Sequence, residues 1–160
     1  MAQAGEAGGA RPGRTCPWVR RGLRPEALDW LEEAHVDLRR AERALSDGDY
    51  AISCFFSHQA IEKALKAVVI GLARKRPPHV HDLTLLYTMV EEFLELPDEV
   101  KKQLPEVSQY YVTTRYPNAG LLRPSVSFNK YQAEKALEVA KHVLKRVREA
   151  LPAGEGQEGP

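Results

Sequence analysis

The chain has 160 residues, of which 43% are hydrophobic and 28% are charged, and its formal net charge is +1. This length favours one domain whose core is large enough to fold without disulfides or metal ions. The small net charge excludes attraction of nucleic acid or membranes by the overall field, so an anion site requires a local cluster of cations. No apolar run approaches the length of a membrane-spanning helix. We expect no membrane partner, no metal and no cofactor.

Both ends of the chain lack an apolar period. Residues 1–24 are rich in Gly, Ala, Arg and Pro, and residues 152–160 have the similar sequence PAGEGQEGP. Both segments are predicted to be disordered tails, which leaves residues 25–151 as the folded domain. The N-terminal arginines are not followed by the apolar stretch of a secretory signal, so we expect a cytoplasmic protein. The two cysteines, Cys16 and Cys54, do not have metal-ligand spacing.

Apolar residues recur every three or four positions between the tails, and this period predicts helices. The predicted helices cover about 25–46, 50–72, 83–94, 105–116 and 128–151, and residues 116–127 are predicted to form a loop. Asp49, Asp82 and Ser127 are the predicted N-caps of the second, third and last helices. Strand-like alternation is nowhere sustained. The predicted fold is therefore all-α, an antiparallel up-and-down bundle of four to five helices.

Two groups of polar residues on or after the second helix are candidate sites. The spacing of Gln59, Lys63 and Lys66 places them on one helix face, with His58 and Glu62 one turn apart. Such a stripe can hold a phosphate or pair across a subunit interface, although spacing alone favours a solvated face. The second group is the basic loop 74–81, whose two histidines could bind a metal or transfer protons; a solvated loop is favoured there too.

Two further candidates lie in the fourth helix and at its end. Arg115 and Tyr116 lie where an arginine can form a fork on a phosphate or carboxylate and stack on a ring. The same arginine can instead interact with the last helical carbonyls, and the pattern does not decide between the two. The tyrosines at 110 and 111 have the spacing of core or interface residues.

Four segments, taken together, resemble the HEPN domain family, the higher eukaryote and prokaryote nucleotide-binding domain. In chain order they are CFFSHQAIEKALKAVV, HVHDL, YVTTRYPNAG and YQAEKALEVAKHVLKRV, and the resemblance covers about residues 26–150. It implies a bundle of four to five helices that usually forms a homodimer. It also implies a small prokaryotic chain of the kind often encoded beside a minimal nucleotidyltransferase, in toxin–antitoxin-like or substrate-binding pairs.

Many HEPN proteins are metal-independent ribonucleases that carry an arginine followed four to six residues later by a histidine. Arg115 is the natural match for that arginine, but no histidine follows it until His142. Two arginine–histidine pairs within residues 74–81 have the spacing, yet they lie in the loop after the second helix rather than at the family's nuclease position. The resemblance therefore favours a member that is not a nuclease.

The leading hypothesis is a binding module that holds a nucleotide or serves as the partner subunit of a minimal nucleotidyltransferase. Its predicted ligand residues are Gln59, Lys63, Lys66, Arg115 and Tyr116. The first alternative is a metal-independent ribonuclease of the HEPN type that uses His58 and Arg115, and a histidine within reach of Arg115 would favour it. RNA as a partner is left open. The second alternative is a structural homodimer scaffold.

The sequence predicts a homodimer, because its helix flanks carry more aromatic surface than one small core needs. These flanking residues are Phe55, Phe56, Tyr110 and Tyr111. Light scattering at micromolar protein concentration should give twice the chain mass of 17.9 kDa. A particle with the mass of one chain would contradict the prediction.

Overall fold

The computed structural model describes residues 24–151, so the predicted tails, Arg24 excepted, and Cys16 lie outside the described residues. Within this range the chain forms seven helical segments and no strand. They are α1 (Pro25–Ser46), α2 (Tyr50–Gly71), α3 (Leu83–Val90), α4 (Asp98–Lys101), α5 (Leu104–Thr113), α6 (Pro124–Ser127) and α7 (Lys130–Ala150). The predicted all-α fold is confirmed. Within residues 24–151 no helix is both long and apolar enough to span a membrane.

Helix α2 is the centre of the domain. Most of its side chains are buried, including the fully buried Ile61, Leu65 and Val68. A helix that is apolar on nearly every side is stable only when other helices surround it. Helices α1, α3, α5 and α7 all pack against α2. Polar side chains on α2 are therefore held in place by several neighbouring elements.

Helices α1 and α2 form a hairpin joined by a turn of three residues. Gly48 takes a positive φ of 75° in this turn, and the Asp49 side chain caps α2, as predicted. The buried face of α1 carries alanines seven residues apart, Ala27, Ala34 and Ala41. Since these side chains are small and share one face, the axis of α1 can lie close to its neighbours.

Helix α7 lies antiparallel to α1. Lys141 of α7 is 3.8 Å from Glu42 near the end of α1, whereas Arg148 acts electrostatically on His35, further back in α1. The buried face of α7 includes Ala140 and Leu144. Because α7 packs against α2 as well as α1, these three long helices form the main body of the bundle.

Several predicted boundaries are wrong. Helix α3 ends at Val90 rather than near residue 94, and Leu94 is buried in the turn that follows. The predicted loop 116–127 contains α6. Ser127 ends α6 and does not cap the last helix, because Asn129 takes the extended cap conformation instead. The Asn129 side chain accepts from the Gln132 amide while the Gln132 side chain accepts from the Asn129 amide, which is a capping box.

Tyr110 is not a flank residue as the sequence suggested. Its ring is buried and packs edge-to-face on Phe128 with centroids 5.3 Å apart, and its hydroxyl donates to Glu106. The aromatic surface available for a second subunit is correspondingly smaller on this face. Phe55, Phe56 and Tyr111 are half-buried.

Asn129→Ala should lower the free energy of unfolding by about 0.5–2 kcal/mol, because an N-cap side chain satisfies an amide that the helix cannot. Thermal unfolding followed by circular dichroism measures the effect. Asn118→Ala is the matched control, since Asn118 lies exposed in the loop before α6. Equal melting temperatures for the two variants would show that the capping box does not stabilise α7.

Candidate functional site

Arg115, in the turn that ends α5, is held by its own helix and by aromatic rings. Its Nε–H donates to the Tyr111 carbonyl at 2.6 Å, which is the helix-end interaction considered from the sequence. Its guanidinium carbon lies 4.1 Å from the Tyr111 ring centre, 4.9 Å from that of Tyr116 and 5.4 Å from that of Phe55. No carboxylate in the described part of the chain forms an ion pair with Arg115. The terminal amino groups are therefore available for a ligand.

The loop between α2 and α3 folds back against α5 and brings His81 to the same ring. The His81 imidazole stacks on Tyr111 with centroids 3.7 Å apart and planes 10° apart. The guanidinium carbon of Arg115 and the centre of the His81 ring are consequently no more than about 8 Å apart. The sequence favoured a solvated loop for residues 74–81 and did not show that the loop folds back to α5.

Glu62 of α2 is a buried carboxylate, 4% exposed, that fixes His81 in place. Both of its oxygens lie 3.1 Å from Nδ1 of His81, and Lys66 Nζ lies 2.8 Å from Oε1. A carboxylate is costly to bury unless it is paired and hydrogen-bonded, and these two partners supply both conditions. Lys66 is itself 5% exposed, so its ammonium is committed to Glu62.

His58, one turn before Glu62, supports the loop from inside the bundle. Its Nε2 donates to the His81 backbone carbonyl at 2.9 Å, and its Nδ1 lies 3.7 Å from a Glu62 oxygen. The ring is fully buried, and this burial lowers the pKa of His58. His58 therefore stays neutral at neutral pH and does not reach the surface. Its place in the structure is behind the site rather than on it.

The remaining residues of the predicted stripe have partners inside the molecule or lie apart from Arg115. Lys63 Nζ contacts the buried carboxylate of Asp37 at 2.5 Å, and Arg40 contacts the same carboxylate at 2.7 Å. Gln59 is half-buried on α2. In the structure Arg115 therefore lies beside Tyr116. Lys63 instead pairs with Asp37 of α1, and Lys66 pairs with Glu62 of α2.

Sequence reasoning undervalued Glu62, His81 and Tyr111. The signal for Glu62 was a charge within a helix that is otherwise apolar on most of its faces. The signal for His81 was its position directly before Asp82, which does cap α3 through Thr84 and Leu85. Because Asp82 is held as the N-cap of α3, the position of the preceding residue, His81, is fixed as well.

An open groove runs from His81 and Tyr111 along the start of α3 and one side of α5. Its volume is about 620 Å³, and most of it is open to solvent. Its polar lining includes Thr84, Ser108 and Gln109. The groove shares Tyr111 with the surroundings of Arg115, which is not itself among its lining residues.

Comparison with known proteins identifies the family. The HEPN domain family model matches residues 27–150, so this chain belongs to the HEPN domain family. It is 28% identical over 134 residues to the protein named "Putative toxin MJ1304" of Methanocaldococcus jannaschii, a match covering 76% of this chain and 86% of that relative.

Solved structures agree with this assignment. The crystal structure of TT1696 from Thermus thermophilus is 35% identical with a TM-score of 0.73, covering 80% of this chain and 100% of that one. The crystal structure of ST0689, an archaeal HEPN homologue, is 24% identical with a TM-score of 0.63, covering 79% of this chain and 98% of that one. The latter likeness supports the fold alone. The resemblance seen in the sequence is confirmed.

Lys66→Met should lower the free energy of unfolding by about 3–5 kcal/mol, because it leaves the Glu62 carboxylate buried without its ammonium partner. The double variant Glu62→Leu/Lys66→Met should regain most of this loss, since an apolar pair of similar volume replaces the buried charges. Denaturant titration measures both changes.

Lys145→Met is the control for these variants, because Lys145 is exposed on α7. A single Lys66→Met variant as stable as this control would contradict the prediction that the Glu62–Lys66 pair is buried and essential.

Proposed function

We propose that this HEPN domain is a nucleotide-binding module whose ligand phosphate is held by Arg115, and that it acts as the partner subunit of a minimal nucleotidyltransferase. One observation carries the binding proposal. Arg115 is fixed by the Tyr111 carbonyl and by three aromatic rings, while no carboxylate of residues 24–151 occupies its terminal amino groups. An arginine prepared in this way loses little side-chain entropy when an anion binds.

The surroundings of Arg115 suit a nucleotide better than a free phosphate ion. The guanidinium can form two parallel hydrogen bonds to phosphate oxygens. Tyr116, which is 49% exposed beside it, offers a ring face for a base. The groove beyond Tyr111 has room for a sugar and base. In this proposal Arg115 and Tyr116 contact the ligand. Lys66 supports the site through Glu62, whereas Lys63 pairs with Asp37 and Gln59 is half-buried on α2.

The proposal of a nucleotidyltransferase partner rests on family membership. The name of the M. jannaschii relative supports a toxin-like role. A homodimer is supported by the apolar residues exposed between α5 and the start of α7. These are Val112, Leu121, Leu122, Val126 and Tyr131. Association of two copies would cover part of this surface.

Arg115→Ala should weaken ATP binding about 10- to 150-fold without unfolding the protein, because a hydrogen bond to a charged group contributes about 1.5–3 kcal/mol. Isothermal titration calorimetry with ATP in EDTA measures the affinity. Arg123→Ala is the matched control, since Arg123 is an exposed arginine in the loop before α6. Should Arg115→Ala bind ATP as the wild type does, Arg115 is a helix-end residue only and the proposed site is misplaced.

A second function, metal-independent RNA cleavage, is favoured by a specific observation. The sequence argument against a nuclease was that no histidine follows Arg115 within four to six residues. The folded chain places the His81 ring and the Arg115 guanidinium against the same Tyr111 ring. One chain therefore supplies a cation for a phosphate and, on the opposite face of the Tyr111 ring, a histidine that can accept a proton.

A further inference from the structure

The loop between α2 and α3, residues 72–82, is attached to α2 through a histidine that water does not reach. The His58 ring is 0% exposed, and its Nε2–H donates to the backbone carbonyl of His81 at 2.9 Å. His81 directly precedes Asp82, the N-cap of α3. This hydrogen bond therefore joins the central helix of the bundle to the place where the loop enters α3.

The same hydrogen bond determines where a further proton on His58 has to go. A carbonyl oxygen only accepts hydrogen bonds, so Nε2 carries the proton of the neutral ring and Nδ1 carries a lone pair. Nδ1 is buried and has no hydrogen-bond partner within residues 24–151. It lies 3.7 Å from an oxygen of Glu62. Protonation of His58 therefore creates a charged group that is buried behind the loop.

The surroundings of His58 disfavour this charge. The charged and titratable groups that face the ring come from its own helix, from the loop and from α5 with the turn that ends it. They are Glu62, His81, Tyr111 and Arg115. Glu62 is the anion among them, and its oxygens already accept from Lys66 at 2.8 Å and from His81 at 3.1 Å.

Burial is the main reason that the pKa of His58 is lowered, and the charges of His81 and Arg115 lower it further. The carbonyl of His81 and the carboxylate of Glu62 act in the opposite direction without cancelling the effect of burial. An imidazolium at this position gains most from contact with water. The loop is the cover that can move, because it is a short segment without a helix of its own.

We propose that the contact between His58 and the His81 carbonyl is pH-sensitive, and that mild acid releases the loop 72–82 from α2. Two residues of the released segment, His81 and Asp82, line the groove beside α5. The shape of the groove therefore changes with pH. The release requires no ligand at Arg115, so it is independent of the proposed nucleotide site.

The direction of the pH dependence follows from the two states of the loop. When the loop is open, His58 meets water and has its ordinary pKa of about 6.5. The closed loop holds the pKa of His58 lower, so opening takes up a proton at pH values below about 6.5. The closed loop has its full stability above this pH and loses stability as the pH falls. A single proton limits the rise in the opening constant to about 25-fold between pH 7 and pH 5.

A histidine that only fills the core would leave opening of the loop insensitive to its own protonation. His58→Gln separates the two roles, because the glutamine amide can donate to the His81 carbonyl and takes up no proton in this pH range. His81 can also take up a proton, but it is present in both proteins and its contribution cancels in the comparison. His142→Gln is the matched control, since His142 is exposed on α7.

Hydrogen exchange of the full chain between pH 5 and pH 7, corrected for the intrinsic exchange rates, measures the opening. The Leu83 amide, which donates to Ser108 Oγ at 2.9 Å, reports on the end of the loop. The amide of Val143, buried in α7, reports on unfolding of the bundle. In the wild type and in His142→Gln, the opening constant at Leu83 should exceed that at Val143 and rise by up to about 25-fold toward pH 5. His58→Gln should show a smaller rise.

Two results would overturn the proposal. Equal opening constants at Leu83 and Val143 would mean that acid unfolds the whole bundle, and equal pH dependence in the wild type and His58→Gln would mean that His58 does not control the loop. Should His58→Gln fail to fold, nitrogen-15 NMR of the wild-type ring decides. The proposal requires a neutral His58 with its proton on Nε2 in the closed protein at pH 6.5, and a charged ring there contradicts it.

Discussion

The buried carboxylate of Glu62 is the interaction on which the rest of the site depends. It lies on the central helix, where desolvation of an isolated charge is prohibitive. Its two close partners, Lys66 of its own helix and His81 of the following loop, satisfy it from different parts of the chain. A loop that would otherwise be solvated is thereby tied to the core of the domain.

The contact between Glu62 and His81 is connected to the protein surface through ring contacts. His81 stacks on Tyr111 of α5, and Tyr111 in turn supports Arg115 through both its ring and its carbonyl. Only two side chains, those of His81 and Tyr111, separate the buried Glu62 from the surface Arg115. Glu62, His81, Tyr111 and Arg115 each contact the next residue directly, so the site is preorganised. The conformational entropy of the Arg115 side chain is therefore lost when the protein folds and not when a ligand binds.

The helical fold was predictable because it depends on local periodicity. The apolar residues of α1, α2 and α7 recur at helical spacing, and Asp49 and Asp82 cap the helices that the sequence assigned to them. The error at Ser127 has a local cause too, since Asn129 offers an equally good cap only two residues later, with Gln132 to complete a capping box. Whether Ser127 or Asn129 caps α7 depends on how α6 packs, and a local sequence pattern does not show that packing.

The candidate site was only half predictable. Arg115 and Tyr116 could be chosen from their chemistry and from the family resemblance, but Lys63 and Lys66 could not be separated from free surface lysines. Their partners Asp37 and Glu62 become visible only once the helices are packed. The position of His81 depends on a loop folding back onto α5, which is a tertiary event without a sequence period. Spacing along one helix was therefore a poor guide to which charges face a ligand.

The most direct test of the central claim is a crystal structure of the protein with bound ADP. We expect a phosphate on the terminal amino groups of Arg115, the base stacked on Tyr116 or extended along the groove past Tyr111, and His81 still bonded to Glu62. A nucleotide bound elsewhere on the domain, with Arg115 left uncontacted, would contradict it.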